Sequence, residues 1–383
     1  MMKPTGPGKL PTVLHIFSGD LWAGAEVMIH SLLAQLNLDD QVRLIALSMN
    51  EGVLTGKLRA GGVETHVIPE ARFSFPHIFL RAARLLRSGR IDIIHSHRYK
   101  ENLLAILLGK CLRVKGLIAT VHGLPEATPS HEGPSHLLTR LDTFLLQRCF
   151  SHVVAVSHDI KSRMTNARQF TNGSMSVIHN GIPPVQCSPP SDNSNATTQT
   201  PHGIHIGSVG RLVPVKDFTL FLEIAARITQ DAENVRFSIL GDGPCRGEIE
   251  EKADRLGLNG RFSLLSPRQD PVPYYRTLDI YLNTSLYEGI PMSVLEAMAC
   301  GVPVVAPRVG GLSEIISDSQ DGFLVEGRNP EGYARRCVDV IRDANLRTRI
   351  RESASRRIQS EFSAARMAQD YSSRYVSLLQ SQS

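Results

Sequence analysis

Short runs rich in Val and Ile alternate along this chain with longer segments whose apolar residues recur at intervals of three and four, and the whole alternation occurs twice. In the first series the strand-like runs are Thr12–Phe17, Val42–Ala46, Glu64–Val67, Ile91–His95, Gly116–Thr120 and His152–Val156. Val27, Leu32, Leu33 and Leu36 carry the helical spacing between two of them. The rhythm restarts with Ile204–Val209, Val235–Leu240, Arg261–Leu264, Ile280–Asn283 and Pro303–Ala306. Strand–helix alternation with nearly unbroken apolar strands predicts parallel sheets covered on both faces. Two such series predict an α/β chain of two doubly wound, Rossmann-like domains, whose ligands bind at the carboxyl ends of the strands, in the cleft between them. The length of 383 residues agrees, since a single core rarely grows beyond about 250–300.

The boundary is compositional. From Ile182 to Gly203 the chain is dense in Pro, Ser, Asn and Thr and has no hydrophobic period, which reads as a linker or exposed loop. The expected division is therefore 1–182, a linker over 183–203, and 204–361. Phe362, Met367, Tyr371, Tyr375, Leu378 and Leu379 lie on one helical face, so a helix over 362–383 is expected to complete the first domain. There are no tandem repeats.

Composition excludes several classes. The chain is 42% hydrophobic and 21% charged, as globular proteins are, and no apolar run approaches the roughly 20 residues of a membrane-spanning helix. The Met1–Lys9 leader lacks the apolar centre of a signal peptide. Six cysteines (Cys111, Cys149, Cys187, Cys245, Cys300, Cys337) form no C-x-x-C pair and read as reduced thiols of a cytoplasmic protein. The Asn-x-Ser/Thr matches at Asn172, Asn195 and Asn283 then carry no glycosylation reading.

The net charge of +5 is uneven: residues 1–183 hold 20 Lys/Arg against 13 Asp/Glu, a balance of +7, and the remainder 22 against 24, a balance of −2. Between Arg72 and Lys115 there are ten basic and two acidic residues. Arg81, Arg84, Arg87 and Arg90 recur beside Leu80, Leu85 and Leu86. This is either a solvated helix face or a surface for peripheral contact with anionic lipid, at the inner face of a cytoplasmic membrane, or with a lipid-diphosphate acceptor. Nucleic acid is not an expected partner.

The most informative string runs from Asn283 to Gly311, through Tyr287-Glu-Gly-Ile-Pro-Met-Ser-Val-Leu-Glu296. A strand ends near Asn283, a loop carries Glu288, Gly289 and Ile290, and Pro291 suits the first helical position. The amides of Met292, Ser293 and Val294 would then be free donors at a helix N-terminus, where an anion is stabilised. Glu296 follows about five residues into the helix, roughly 7.5 Å along its axis. Two carboxylates so spaced suit the hydroxyls of one elongated, polyhydroxylated ligand; read alone, they are also ordinary residues of an amphipathic helix.

With the strings Gly301-Val-Pro-Val-Val-Ala306, Val309-Gly-Gly-Leu-Ser-Glu-Ile-Ile316 and Asp321-Gly-Phe-Leu-Val325 after it, the segment resembles the Glu-x7-Glu signature of the family-4 retaining glycosyltransferases, which have the GT-B fold. The resemblance implies that Glu288 contacts the donor sugar and Glu296 the nucleotide ribose. Val209-Gly-Arg-Leu-Val-Pro-Val-Lys-Asp217 is similar to the family's phosphate-binding turn, which assigns Arg211 and Lys216 to the diphosphate. Asp217 stands where the family usually has Gly, an acid placed to compete for Lys216. Phe17-Ser-Gly-Asp-Leu-Trp-Ala-Gly-Ala-Glu26 looks like the family's glycine loop, with Gly24 facing the diphosphate and Trp22 either in the loop's function or a packing anchor. Thr120-Val-His-Gly123 resembles a turn that puts His122 beside the reacting sugar, orienting or polarising it. Asn180-Gly-Ile182 matches a structural turn. Leu240-Gly-Asp-Gly-Pro244 half-matches a dinucleotide fingerprint, but its spacing fits the family's Gly-x-Gly-Pro turn; the resemblance sets Gly243 at the nucleotide pocket and Arg268 near the base.

The expected activity is metal-independent transfer of a sugar, with retention, from a nucleotide-diphosphate sugar (UDP being the commonest carrier among relatives) to a hydroxyl acceptor in polysaccharide or glycolipid synthesis. No cofactor is expected. There is no Asp-x-Asp motif to hold a metal, and His95-Ser-His97 shows no third ligand in the sequence. Two rival functions share the fold: a nucleotide-sugar epimerase, and an inactive sugar-nucleotide-binding protein.

Overall fold

The structure, a computed structural model, describes residues 10–123, 134–166, 170, 174–185 and 203–381, without the side chains of 134–139. The Met1–Lys9 leader, most of the expected linker with Cys187 and Asn195, and Asn172 lie outside the described residues. The chain forms two compact units. One comprises Met1–Val156, Lys161–Ile178 and Ala364–Ser383, the other Ser157–Ile160 and His179–Ser363.

In the first unit, seven strands pair in parallel: β1 (Thr12–Phe17), β2 (Arg43–Ser48), β3 (Glu64–Val67), β4 (Ile93–Ser96), β5 (Gly116–Val121), β6 (His152–Ala155) and β7 (Met175–Val177). Their order is β3-β2-β1-β4-β5-β6-β7. The buried runs Val13, Leu14, Ile16 and Ile93, Ile94 explain why the sequence showed no alternation: helices cover both faces. Two expected strands start too early, because Val42 and Ile91 are buried but precede the first ladder partners Arg43 and Ile93. β7 has three residues, too few for a periodic signal. The closing helix runs Ala364–Gln380, not from 362, because Phe362 caps the preceding helix Ala344–Glu361. It packs so closely on the sheet that a Cβ on Gly116 would lie 2.0 Å from Leu378.

The second unit is a six-stranded parallel sheet in the order β10-β9-β8-β11-β12-β13. Its strands are β8 (Ile204–Val209), β9 (Val235–Leu240), β10 (Phe262–Leu265), β11 (Ile280–Leu282), β12 (Val304–Pro307) and β13 (Phe323–Val325). β10 and β12 sit one residue later than their sequence patterns suggested, and the three-residue β13 was not expected. One face packs against the helices Phe218–Asp231 and Pro330–Arg342, through Phe221, Ile224, Ile228, Tyr333, Cys337 and Val340. In both sheets the order reverses beside the first strand, between β1 and β4 and between β8 and β11. Connections leaving two neighbouring strands in opposite directions open a crevice at their carboxyl ends, the usual ligand position in such sheets.

Phe221 is fully buried, edge-on to Phe237 with ring centroids 6.5 Å apart. Phe221→Ala leaves a cavity that its neighbours fill only in part, and the expected loss is about 3–5 kcal/mol, measured as the shift in urea unfolding monitored by circular dichroism.

Candidate functional site

In the second unit the loops leaving β8 and β11, on either side of the order reversal, are tied into one structure. The β8 loop makes a short turn of 3-10 helix at Pro214–Lys216. Leu286 N donates to the Val215 carbonyl at 2.8 Å, and Thr284 Oγ1 to the Lys216 carbonyl at 3.0 Å. These bonds bring Lys216 Nζ to 2.6 Å from Glu288 Oε1, which also accepts from Ser285 Oγ at 2.6 Å. Glu288 is 8% exposed and Lys216 half-buried, so the carboxylate end of the pair is shielded from water.

Asp217 does not compete for Lys216. Its φ of 44° is in the left-handed region that favours glycine, which explains the residue usual at this place in the motif. As N-cap of the helix Phe218–Asp231 it accepts from Leu220 N, and its carboxylate pairs with Arg328. Arg328 also donates to the carbonyls of Ser285 (3.0 Å) and Thr284 (2.6 Å). Arg328 was missed in the sequence because it lies three residues past the Asp321-Gly-Phe-Leu-Val325 string and outside it; it reaches the site only through the fold.

The Glu288 loop is held from its other side as well. Gly311 N donates to the Glu288 carbonyl at 3.0 Å, and a Cβ on Gly311 would lie 1.7 Å from the Gly289 carbonyl oxygen. Asn180 Nδ2 donates to the Ile290 carbonyl at 2.8 Å, giving the Asn180-Gly-Ile182 turn a direct hold on this loop. Gly289, Ile290 and Pro291 are buried.

The helix begins one residue later than expected: Pro291 is the N-cap and Met292–Ala299 the helix. No side chain caps it. The Val294 amide turns back to the Pro291 carbonyl at 3.2 Å, which leaves Met292 and Ser293, not all three amides, without a backbone partner among the described residues. Glu296 is half-buried on this helix and accepts from Tyr275 Oη at 2.8 Å. Burial pushes the Glu296 carboxyl up to about 7, and burial raises the Tyr275 phenol further above its ordinary range, so the phenol stays a donor.

Arg211 and Arg268 are exposed and form no ion pair among the described residues. Gly243 follows β9 where a Cβ would meet the Leu212 carbonyl oxygen at 2.5 Å, so this glycine admits the strand-end loops to each other. Arg211, Lys216, Gly243, Glu288 and the start of the Met292 helix thus share the carboxyl end of one sheet. The arrangement offers cations and free amides to an anion beside carboxylates suited to hydroxyls.

In the first unit, Gly24 opens the helix Gly24–Asp39 after β1. Trp22 packs under Lys57 Nζ, 5.2 Å from its ring centroid, and edge-on to His30, which favours the packing role. His122 follows β5, and burial takes its imidazole down to about 3. His95 and His97 do have further imidazoles beside them: His15 from β1, and His122. Only the pairing of β1 with β4, in register at His15 and His95, reveals this cluster.

Known proteins place the chain. The family described as "Glycosyltransferase Family 4" matches residues 22–186, and that described as "Glycosyl transferases group 1" matches 203–343. The UDP-Gal:alpha-D-GlcNAc-diphosphoundecaprenol alpha-1,3-galactosyltransferase of Escherichia coli is 25% identical over 69% of this chain and 70% of its own. The D-inositol 3-phosphate glycosyltransferase of Salinispora tropica is 26% identical over 91% and 76%. Among solved structures, Anabaena HepE in complex with UDP and glucose superposes with a TM-score of 0.80 at 20% identity, over 96% of this chain and all of that one.

Glu296 gives the site a pH signature. Its folded pKa is raised, so between the ordinary carboxylate range and about 7 the folded state binds the extra proton. Stability then falls as pH rises through that window. Glu296→Gln keeps an acceptor for Tyr275 and removes the titration. The melting temperature of the variant relative to the parent is expected to rise from pH 5 to pH 8, as read by scanning calorimetry; a constant difference would count against a raised pKa.

Proposed function

This chain belongs to the family-4 glycosyltransferases, and on that premise we propose that it moves a sugar from a UDP-sugar, with retention, to a hydroxyl of a lipid-linked or polysaccharide acceptor. The observation that carries the site assignment is the Lys216–Glu288 pair, tied by Ser285 at the order reversal of the second sheet. A donor sugar diphosphate matches both partners: phosphate oxygens take the Lys216 ammonium and the exposed Arg211 guanidinium, and sugar hydroxyls take the Glu288 carboxylate. The Met292 and Ser293 amides add donors for phosphate, Glu296 accepts from the ribose, Gly243 borders the nucleotide and Arg268 the base. The family resemblance further assigns Gly24 to the diphosphate and His122 to the reacting sugar.

The reaction breaks the anomeric C–O bond to the diphosphate. Charge on the leaving diphosphate grows in the transition state, and fixed cations and amides stabilise it more there than in the ground state. Glu288 is already committed to Lys216 and Ser285, which suits a hydroxyl-orienting role better than that of a covalent nucleophile. Retention then follows from attack by the acceptor hydroxyl on the face that the diphosphate leaves.

UDP is favoured as carrier because the Escherichia coli relative is named for UDP-Gal and the Anabaena structure holds UDP. The lipid-linked acceptor rests on the diphosphoundecaprenol in the former's name. No helix of the described residues is long and apolar enough to cross a membrane. The Phe75–Leu86 helix, however, exposes Leu80 and Leu85 beside Arg81 and Arg84, with Arg87 at its end. This surface suits peripheral contact with anionic lipid.

Incubation with a panel of nucleotide sugars, with and without undecaprenyl-diphosphate-linked saccharides, is expected to release UDP only when an acceptor is present. A rearranged sugar without acceptor would instead mark an epimerase, and binding without turnover an inactive binder. Glu288→Gln is expected to lower kcat by roughly a hundredfold or more while UDP affinity, read by calorimetry, stays within a few-fold. Unchanged turnover would remove Glu288 from the site.

Sedimentation with anionic vesicles is expected at low salt and to be lost at high salt. Charge reversal of Arg81, Arg84 and Arg87 should abolish it, and a parent protein that fails to sediment at low salt would refute the membrane contact.

A further inference from the structure

Beneath the helix Ala364–Gln380, three strands of the first sheet bury an unusual amount of polar matter. His15 on β1, His95 and His97 at β4, and Thr120 on β5 are buried, as are Tyr371 and Tyr375 on the helix. Their polar atoms form one unbranched line that ends at His122. His122 Nε2 lies 3.1 Å from His97 Nδ1, and His97 Nε2 lies 3.3 Å from His15 Nδ1. His15 Nε2 is 3.3 Å from Tyr375 Oη, which is 2.8 Å from His95 Nδ1. His95 Nε2 is 2.8 Å from Thr120 Oγ1, and that is 2.8 Å from Tyr371 Oη.

A metal centre does not suit these imidazoles. The His95 and His97 rings are within 25° of parallel and those of His15 and His97 within 20°. In-plane lone pairs of stacked rings run side by side and do not converge on one ion. Both nitrogens of His15, His95 and His97 already face a hydroxyl or another imidazole.

We infer that this line is a positioning device: it holds the proton of His122 on Nδ1, so that the ring presents a hydrogen-bond donor to the sugar. The inference rests on the proposed placement of His122 beside the donor. The reason is a proton count. Burial takes the imidazoles of His15 and His122 down to about 3, and those of His95 and His97 well below their ordinary value, so each ring carries one N–H. Four rings and three hydroxyls supply seven protons for the six contacts. One proton is left over, and it must lie at an end.

If every group donates away from His122, the spare proton is the Tyr371 hydroxyl's. Tyr371 has no other partner among the described residues, and the His122 Nδ1 lone pair is also left unmet. If every group donates toward His122, Tyr371 and each group after it are paired, and the only unmatched donor is His122 Nδ1–H. The second arrangement strands one buried group where the first strands two, and each such group carries an uncompensated desolvation penalty. Mixed directions place two protons, or none, in one contact and are worse. His122 Nδ1 is indeed the buried atom of this line without a partner, as a donor awaiting a substrate oxygen would be.

The test is tautomer-resolved NMR on the full chain labelled with 15N-histidine, using long-range 15N–1H correlations, with the His122 signals identified by their loss in His122→Gln. The parent protein is expected to show a single Nδ1–H tautomer at His122. Tyr371→Phe should leave it unchanged, because Thr120 still donates to His95. Tyr375→Phe removes an equal hydroxyl one helical turn away but cuts the line between His15 and His95. The two directions then become equivalent for the His122 segment, and its signals should move toward the average of the two tautomers. With about half the molecules in the donor form, kcat falls about twofold at unchanged donor KM.

An Nε2–H tautomer in the parent protein overturns the inference, as does an unshifted tautomer in folded Tyr375→Phe. Should Tyr375→Phe not fold, the parent and Tyr371→Phe spectra decide alone, Nδ1–H in both supporting the inference and Nε2–H in either overturning it. The expected tautomers in a protein that turns over no donor would leave the line standing and overturn the transferase role given to His122.

Discussion

Strands covered on both faces leave little room for polar side chains except at their carboxyl ends, and this constraint organises both units. The strands of the second sheet are mostly apolar, with His205, Ser208 and Ser238 as buried exceptions, and a run of polar residues begins where the ladder stops: Arg211 after β8, Asp242 after β9, Asn283 to Glu288 after β11. The reversal of strand order between β8 and β11 separates the helices that follow them and opens the space between their loops. The Lys216–Glu288 pair lies in that space and depends on it.

Charge in the second unit is distributed so that Lys216 and Arg211 are not equivalent. Arg328 neutralises Asp217 while bonding the carbonyls of Thr284 and Ser285, so an acid next to Lys216 in sequence is separated from it electrostatically. Lys216 is thereby committed to Glu288, and Arg211 stays exposed. An ion pair that loses one partner leaves a charge uncompensated, which favours keeping the pair together. The first unit solves a different problem. Its buried histidines are kept neutral by desolvation, and the nitrogens of His15, His95 and His97 are satisfied by neighbouring imidazoles, by Thr120 and by the Tyr375 hydroxyl of the helix Ala364–Gln380.

Much of this was legible from residue patterns. The two strand–helix series, the Glu288–Glu296 string and the basic stretch from Arg72 were readable because each depends on local order, such as period, spacing and composition. What escaped has a common cause. β7 and β13 are too short to show a period. The Pro291 cap displaced the helix start by one residue because its ψ of 120° is extended, although its φ suits a helix. Asp217 looked like a rival for Lys216 because adjacency in sequence was mistaken for contact. The third imidazole near His95 was invisible because it comes from position 15, eighty residues away in sequence but one strand away in the sheet.

The layer architecture and the membership of the family-4 glycosyltransferases thus follow from residue order, because burial pattern and motif spacing are properties of a local stretch. Which charges meet, and which hydrogen-bonding groups face each other, emerged with the folded arrangement. Arg328 with Asp217, Lys216 with Glu288, Tyr275 with Glu296, and Tyr375 with His15 and His95 are separated by 21 to 360 positions. Electrostatics and hydrogen bonding act over a few ångströms of space, and strand order together with helix packing sets which distant residues come within that range.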